Sequence, residues 1–392
     1  MPSRSRSRES RAGSSASLRS SGTDDSEIVH FAWSRHQLLN RGRYDVRAKL
    51  GDGTFGRVLR CYDLDRREMV AVKVIRDVPR YVDNAVIEAN ILKRLLRRDS
   101  KDELGRPNIV RLYDTFFHRE RFFCLVFEPL GESLYDVIKK NDYHGLYVSD
   151  IQMIAEESLA GLAYCHSRGL IHTDIKAENI LLVSDKLDRS SPPPRYLNGS
   201  SHPSRPSYYR PRFSSRGPCV KLIDFGNGIF SEDHHPSMIN TRQYRSPEVL
   251  LGHKWTTQSD VWSLGCVIAE SFLGDLLFQT HEDHEHLALI EKIIGQFSQE
   301  FLSRTPEEVR IELLTDSVGR MNPARVLVAF PVDPVSESSV RKVKNAASLE
   351  AQFKAYPDFR KLLRKMLTIV PESRVTAKEA MREAFFKGYA RD

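Results

Sequence analysis

Residues 172–179 read His-Thr-Asp-Ile-Lys-Ala-Glu-Asn, an acid with a lysine two positions on and an asparagine five positions on. The apolar run Ile180-Leu181-Leu182 follows, so the polar stretch reads as a loop entering a strand. In a loop, three such side chains can converge on one point. Asp174 would accept the proton of a hydroxyl, Lys176 would neutralise charge on a transferring phosphate, and Asn179 would hold a divalent ion through its amide oxygen. The same spacing also arises in a polar surface loop with a helix cap. What separates the two readings is whether the chain supplies the other parts that phosphoryl transfer needs.

Leu50, Gly51, Asp52, Gly53, Thr54, Phe55, Gly56, Arg57 and Val58 contain G-x-G-x-x-G. In a dinucleotide fold such glycines open a helix. Here Val58-Leu59-Arg60-Cys61-Tyr62 follows without helical period, so the spacing predicts a glycine-rich hairpin whose backbone N–H groups cover phosphates. Met69–Ile75 is the next strand, with Ala71 and Lys73 on one face. That pairing suits an adenine ring with phosphates beside it. In the helical pattern over residues 83–98, Glu88, Leu92 and Leu95 share a face, which directs a carboxylate inward. Such a group needs a partner, and Lys73 is the natural one. The strand Arg121–Phe127 ends in Glu128-Pro129-Leu130-Gly131, an extended connector able to offer backbone groups to an adenine edge, with Phe127 restricting the pocket behind. Leu181 would floor the same pocket. Val220-Lys221-Leu222-Ile223 delivers Asp224-Phe225-Gly226, placing an acid as the second Mg²⁺ ligand after Asn179. Asp260, in a helix apolar almost all round, is expected to tie down N–H groups of the 172–179 loop, and Arg374 is a candidate buried partner for Glu248. His234 and His235 lack a third ligand and are not read as a metal site.

A chain of 392 residues calls for more than one core. With 40% hydrophobic and 28% charged residues it has the composition of a globular protein, and no apolar run reaches eighteen. The N-terminus has no apolar stretch and does not read as a signal peptide. Cys61, Cys124, Cys165, Cys219 and Cys266 are scattered and read as buried thiols. The net charge of +7 is concentrated in residues 1–26, at +2, and residues 184–218, at +5, so the remaining body is formally neutral. That distribution argues against direct nucleic-acid binding by the folded part. Both segments are Ser- and Arg-rich, and the second holds seven Pro, so both are expected to be disordered.

Taken together, Gly51, Gly53, Gly56, Lys73, Glu88, Asp174, Asn179, Asp224, Glu248, Asp260 and Arg374 resemble the protein kinase family, in order and in context. Within it the chain looks like the LAMMER (CDC-like) group of the CMGC kinases. The group motif E-H-L-A-M-M-E-R-I-L is matched at six of ten positions by Glu-His-Leu-Ala-Leu-Ile-Glu-Lys-Ile-Ile at 285–294. Departures are Ala177 where the group has Pro, and Asn227-Gly228 for Ser-Ala. The resemblance implies an α+β bilobal fold over 44–388: a small β-rich lobe at 44–127, a hinge at 128–132, and a mainly helical lobe at 133–388 interrupted by 184–218. It implies ATP and Mg²⁺, with Asp174, Lys176, Lys73 and Glu88 as catalytic residues and Asn179 and Asp224 as metal ligands. Protein substrates rich in Arg and Ser, such as splicing factors, are implied, with Glu132, Asp136 and Glu178 meeting their arginines. Tyrosine would be an autophosphorylation target, the enzyme a monomer, and its location nuclear, with the cytoplasm as an alternative. Thr173 stands where many kinases place an Arg that pairs with a phosphorylated activation-segment residue, so activity is expected to be independent of that phosphorylation. A scaffold that has lost its chemistry would lack the lysine or a metal acid, and neither is missing.

Overall fold

The computed structural model describes residues 30–96, 106–196, 208–213, 217–317 and 325–388. The Ser/Arg-rich tail at 1–26, expected to be disordered, lies outside these. The first lobe is built on β1 (Leu38–Leu39), β2 (Tyr44–Asp52), β3 (Gly56–Asp63), β4 (Glu68–Ile75), β5 (Leu112–His118) and β6 (Phe122–Phe127), in the order β1-β2-β3-β4-β6-β5. All neighbours are antiparallel. β4 and β6 are central and rich in Val, Leu and Phe, as strands with two neighbours require. The sheet starts upstream of residue 44, because β1 pairs with β2 and Phe31 is buried against Phe122.

Helix α1 (Pro79–Leu95) starts with Pro in its first turn, where a missing N–H costs nothing. Its buried face carries Ala85, Glu88, Ala89, Leu92 and Leu95, so the carboxylate does point into the protein. The second lobe contains α2 (Leu134–Lys140), α3 (Val148–Ser167), β7 (Leu170–Ile171), β8 (Ile180–Leu182), β9 (Leu187–Ser190), β10 (Tyr208–Pro211), β11 (Val220–Leu222), β12 (Ile229–Phe230), α4 (Pro247–Leu250), α5 (Gln258–Leu273), α6 (Asp283–Ile293) and further helices to residue 386. α5 is buried along nearly its whole length, as its all-round apolar sequence predicts. It ends at Gly274, where φ is +76° and an added Cβ would lie 2.1 Å from the Tyr143 carbonyl. The five cysteines are free and buried. His235 stacks on Trp255, with ring centroids 4.2 Å apart. Among the described residues no helix is long and apolar enough to cross a membrane.

The segment 184–218, expected to be disordered, is ordered wherever it is described. β9 and β10 pair from Leu187↔Pro211 to Ser190↔Tyr208. Tyr208 is buried and donates to the Gly145 carbonyl (2.8 Å), Arg210 pairs with Asp150 (2.8 Å), and Asn141 brackets Tyr209 through two hydrogen bonds of 2.8 Å. Tyr196 reaches the Phe272 carbonyl (3.1 Å). Pro and Ser build no core, but tyrosines and arginines can use carbonyls and carboxylates left at the ends of α2, α3 and α5.

The LAMMER-like stretch forms most of α6, an amphipathic helix with its motif residues turned inward. Glu285 is buried and accepts from Lys342 (2.8 Å). His286 is fully buried against Phe278, with no hydrogen-bond partner on either ring nitrogen. Burial, helped by the Arg245 and Arg242 cations and opposed by Glu285, pushes its pKa down from 6.5 to about 3. The unfolded chain therefore binds a proton near pH 6.5 that the folded chain refuses, and stability falls as pH drops through that window. The loss should reach about 2 kcal/mol by pH 5. Denaturant titrations at pH 7.5 and pH 5 are expected to show this difference in the native protein and much less of it in His286→Phe. Equal slopes in the two would contradict it.

Candidate active site

A cleft of about 740 Å³ lies between the lobes. Leu50, Val58, Ala71, Phe127, Leu130 and Leu181 give it apolar walls, and Lys73, Glu88 and Asp224 form a charged end. Lys73 stands in β4, whose register with β3 and β6 fixes its position. Its Nζ lies 2.7 Å from Glu88 Oε2 and 3.6 Å from Asp224 Oδ1. Burial disfavours the ammonium, but Glu88 and Asp224 outweigh it and raise its pKa, so Lys73 stays charged.

The glycine-rich segment is the β2–β3 hairpin, closed by Gly53 N–H to the Gly56 carbonyl (2.8 Å). Gly56 has no room for a side chain, since a Cβ would meet the Val74 carbonyl at 2.3 Å. At Gly51 and Gly53 an added Cβ meets nothing closer than 3.8 Å, so packing within the protein does not explain them. Their bare backbone leaves the space over the hairpin open. Gly53, Thr54, Phe55 and Gly56 do not line the main cleft, nor do Asp52 and Arg57. Asp52 pairs with Arg57 (2.6 Å) and Lys49 (2.7 Å), and Phe55 packs edge-on against Tyr81. Of the loop's middle, the backbone groups and the exposed Thr54 side chain are left to meet a nucleotide.

The 172–179 loop is held from below. Asp260 accepts from the N–H groups of His172 (2.8 Å) and Thr173 (2.9 Å), as its place on α5 suggested. This supports Thr173 in a left-handed conformation (φ 65°). His172 Nε2 bonds the Ile223 carbonyl (2.9 Å), while the Ile223 N–H donates to the Asn179 carbonyl (3.0 Å). The loop is thereby bonded to the residue that precedes Asp224. Asp174 Oδ2 lies 2.8 Å from Lys176 Nζ, and Thr241 donates to its Oδ1 (2.7 Å). Burial pushes the Asp174 carboxyl up, but the Lys176 charge and the bonds from Lys176 and Thr241 bring it below its ordinary range. It is a carboxylate at neutral pH.

The Asn179 amide N–H groups face the Asp174 carbonyl (2.8 Å) and carboxylate (3.3 Å), which turns the amide oxygen the other way. Asp224 is only partly buried and sits at φ 62°. Among the described residues no cluster of three His, Cys, Asp or Glu could hold a metal. Two hard oxygen donors fit an ion that completes its shell with phosphate and water.

Glu132, Asp136 and Glu178 line the mouth of the cleft together. Glu178 is exposed, Glu132 pairs with Lys140, and Asp136 caps α2 through Ser133 (2.6 Å). Glu128, expected at an adenine edge, donates its N–H to the Arg111 carbonyl (3.1 Å), so only its carbonyl is left for the ring. Sequence reasoning gave Thr241 no role at Asp174. The two lie 67 positions apart, and no spacing rule spans that distance.

The protein kinase domain family model matches residues 44–386. The chain is 36% identical to the serine/threonine-protein kinase AFC3 of Arabidopsis thaliana, over 93% of this chain and 86% of that one. This chain is a protein kinase. Its relatives place it in the LAMMER (CDC-like) group. The dual specificity protein kinase CLK1 of Mus musculus is 32% identical over 94% of the kinase and 71% of that protein. The dual specificity protein kinase lkh1 of Schizosaccharomyces pombe is 35% identical over 88% of the kinase but 47% of its own length. The crystallised kinase domain PF14_0431 is 36% identical and superposes with a TM-score of 0.77, over 92% of this chain and 99% of that one. Family membership brings ATP and a divalent metal ion to the site.

Proposed function

We propose that this kinase transfers the γ-phosphoryl group of ATP, with Mg²⁺, to Ser and Thr hydroxyls of Arg/Ser-rich proteins of the splicing-factor kind. It would also modify its own tyrosines, and act as a monomer in the nucleus, with the cytoplasm as an alternative. Asn179 and Asp224 would hold the metal ion, which neutralises phosphate charge when bound. Lys73, fixed by Glu88, would seat the inner phosphates under the β2–β3 hairpin. Asp174 would orient the substrate hydroxyl and take its proton as the oxygen bonds to phosphorus and the bond to the leaving diphosphate breaks. Lys176 would stabilise the charge that develops. Since the transition state is loose, positioning and electrostatics carry the rate.

The observation behind the substrate class is the acidic mouth formed by Glu132, Asp136 and Glu178. Glu178 is exposed there, and with Asp136 and the Lys140-paired Glu132 it leaves this group net negative, which favours arginines flanking the target serine. A peptide array carrying Arg-rich, Pro-directed and acidic sites tests this. Arg-rich peptides should be phosphorylated best, and a clear preference for either other class would overturn the assignment.

Thr173 supports an enzyme that needs no activating phosphate. Its hydroxyl donates to the Asn227 carbonyl (2.7 Å), and its own carbonyl accepts two bonds from Asn240 (3.0 and 2.9 Å). Arg94 of α1 pairs with Glu232 (2.8 Å) and covers the Phe230 ring. The loop is thus joined to the segment after Asp224 by neutral bonds, and α1 holds that segment through an ordinary carboxylate. Phosphatase-treated enzyme should retain activity within about twofold, whereas loss of an activating phosphate would cost orders of magnitude. A silent treated enzyme would contradict this.

A further inference from the structure

Lys221 is a buried cation to which phosphoryl transfer as described gives no task. Its Nζ lies 2.6 Å from Glu128 Oε1. The same carboxylate oxygen accepts from the Arg111 N–H (2.7 Å), while the Glu128 N–H donates to the Arg111 carbonyl (3.1 Å). Glu128 is therefore fixed through both its backbone and its side chain. It sits in the cleft wall next to Phe127 and Leu130. Lys221 belongs to β11, where it pairs with Leu181 of the cleft, three residues before Asp224. One buried ion pair thus ties the connector between the lobes to the strand that delivers the metal-side acid.

The geometry points to Lys221 as a positioning residue for nucleotide choice: its pair with Glu128 locks the backbone at 128–130 in the register that accepts adenine and rejects guanine. This rests on the ATP-dependent kinase reading above. Adenine presents an amino group at the edge where guanine presents a carbonyl oxygen. With the Glu128 N–H bound to Arg111, the Glu128 backbone can offer only its carbonyl oxygen, which attracts the first and repels the second. A carbonyl discriminates only as well as it is held, because a Glu128 backbone released from Arg111 can turn its own N–H, a donor, toward the ring instead. Surface charges would not hold it. A largely buried pair does, since breaking it leaves the Lys221 charge without its partner where little water can take over.

The experiment measures kcat and KM for ATP and for GTP, with a saturating peptide substrate, in wild type, Lys221→Met, Lys221→Arg and Glu128→Gln. Lys221→Met should raise KM for ATP about tenfold with kcat within about twofold, and lower the ATP-to-GTP ratio of kcat/KM by about tenfold or more, roughly one hydrogen bond's worth of discrimination. Lys221→Arg should restore most of the ratio. Glu128→Gln keeps the acceptor for Arg111 but not the charge, so it should move the ratio the same way by less, and it serves if Lys221→Met does not fold. A folded variant with an unchanged ratio, or a loss confined to kcat, overturns the proposal. Should wild type transfer no phosphate, the kinase reading fails by itself. The ratio is then read from thermal shifts with ADP and GDP, where equal responses of wild type and variant overturn the role of Lys221.

Discussion

Asp174→Asn is expected to lower phosphate transfer by about a thousandfold while leaving nucleotide affinity and thermal midpoint close to those of the native enzyme. That loss corresponds to about 4 kcal/mol of transition-state stabilisation. Asparagine keeps the shape of the side chain and an oxygen to accept from Thr241, so the loop should stay in place. What it lacks is a basic oxygen to receive the hydroxyl proton, and the negative charge paired with Lys176 at 2.8 Å. The effect should fall on kcat with little change in KM for ATP, the pattern of an interaction made in the transition state. Steady-state kinetics alongside a nucleotide titration will separate the two. A variant within tenfold of the native rate would remove Asp174 from the chemistry.

The largest effect on stability is expected at Glu248 and Arg374. Both side chains are fully buried, with Nη1–Oε1 at 2.7 Å and Nη2–Oε2 at 2.8 Å, a two-pronged pair. Arg374 also donates to the carbonyls of Gln258 (2.7 Å), Thr368 (2.8 Å) and Ile369 (3.1 Å), and lies over Trp262. Glu248→Ala leaves a guanidinium buried without its countercharge and should destabilise the second lobe by about 3–5 kcal/mol. For a lobe of this size the thermal midpoint should fall by roughly 10 °C. Combining Glu248→Leu with Arg374→Met should destabilise by less than the sum of the single changes, because no charge is then stranded. Calorimetry of the native protein, Glu248→Ala, the two further single variants and the double variant tests this, and a loss under about 1 kcal/mol in Glu248→Ala would contradict it.

The parts of the site carried by local spacing were legible in the sequence. The hairpin glycines, the run from Asp174 to Asn179 and the acid after β11 each lie within a few residues of their structural context. Glu88 was legible because helical period alone turns it inward, which demands a cation. Long-range partners were harder. Glu128 and Lys221 meet across 93 positions, and each had a sufficient local reading, one in the connector and one in a strand. Nothing in either stretch asks for the other. The 184–218 segment misled for a different reason. Its Pro and Ser content describes a chain unable to form its own core, yet Tyr196, Tyr208 and Arg210 borrow one from α2, α3 and α5. Composition measures what a segment can bury by itself, not what it can lean on.

A crystal structure with Mg²⁺ and a non-hydrolysable ATP analogue tests the central claim most directly. The expected result has the adenine between Ala71 and Leu181, Lys73 on the inner phosphates, and Asn179 Oδ1 and an Asp224 oxygen at about 2.1 Å from magnesium. Asp174 should face the terminal phosphate with room for a hydroxyl between them. A nucleotide bound elsewhere, or a metal ion held without Asn179 and Asp224, would contradict it.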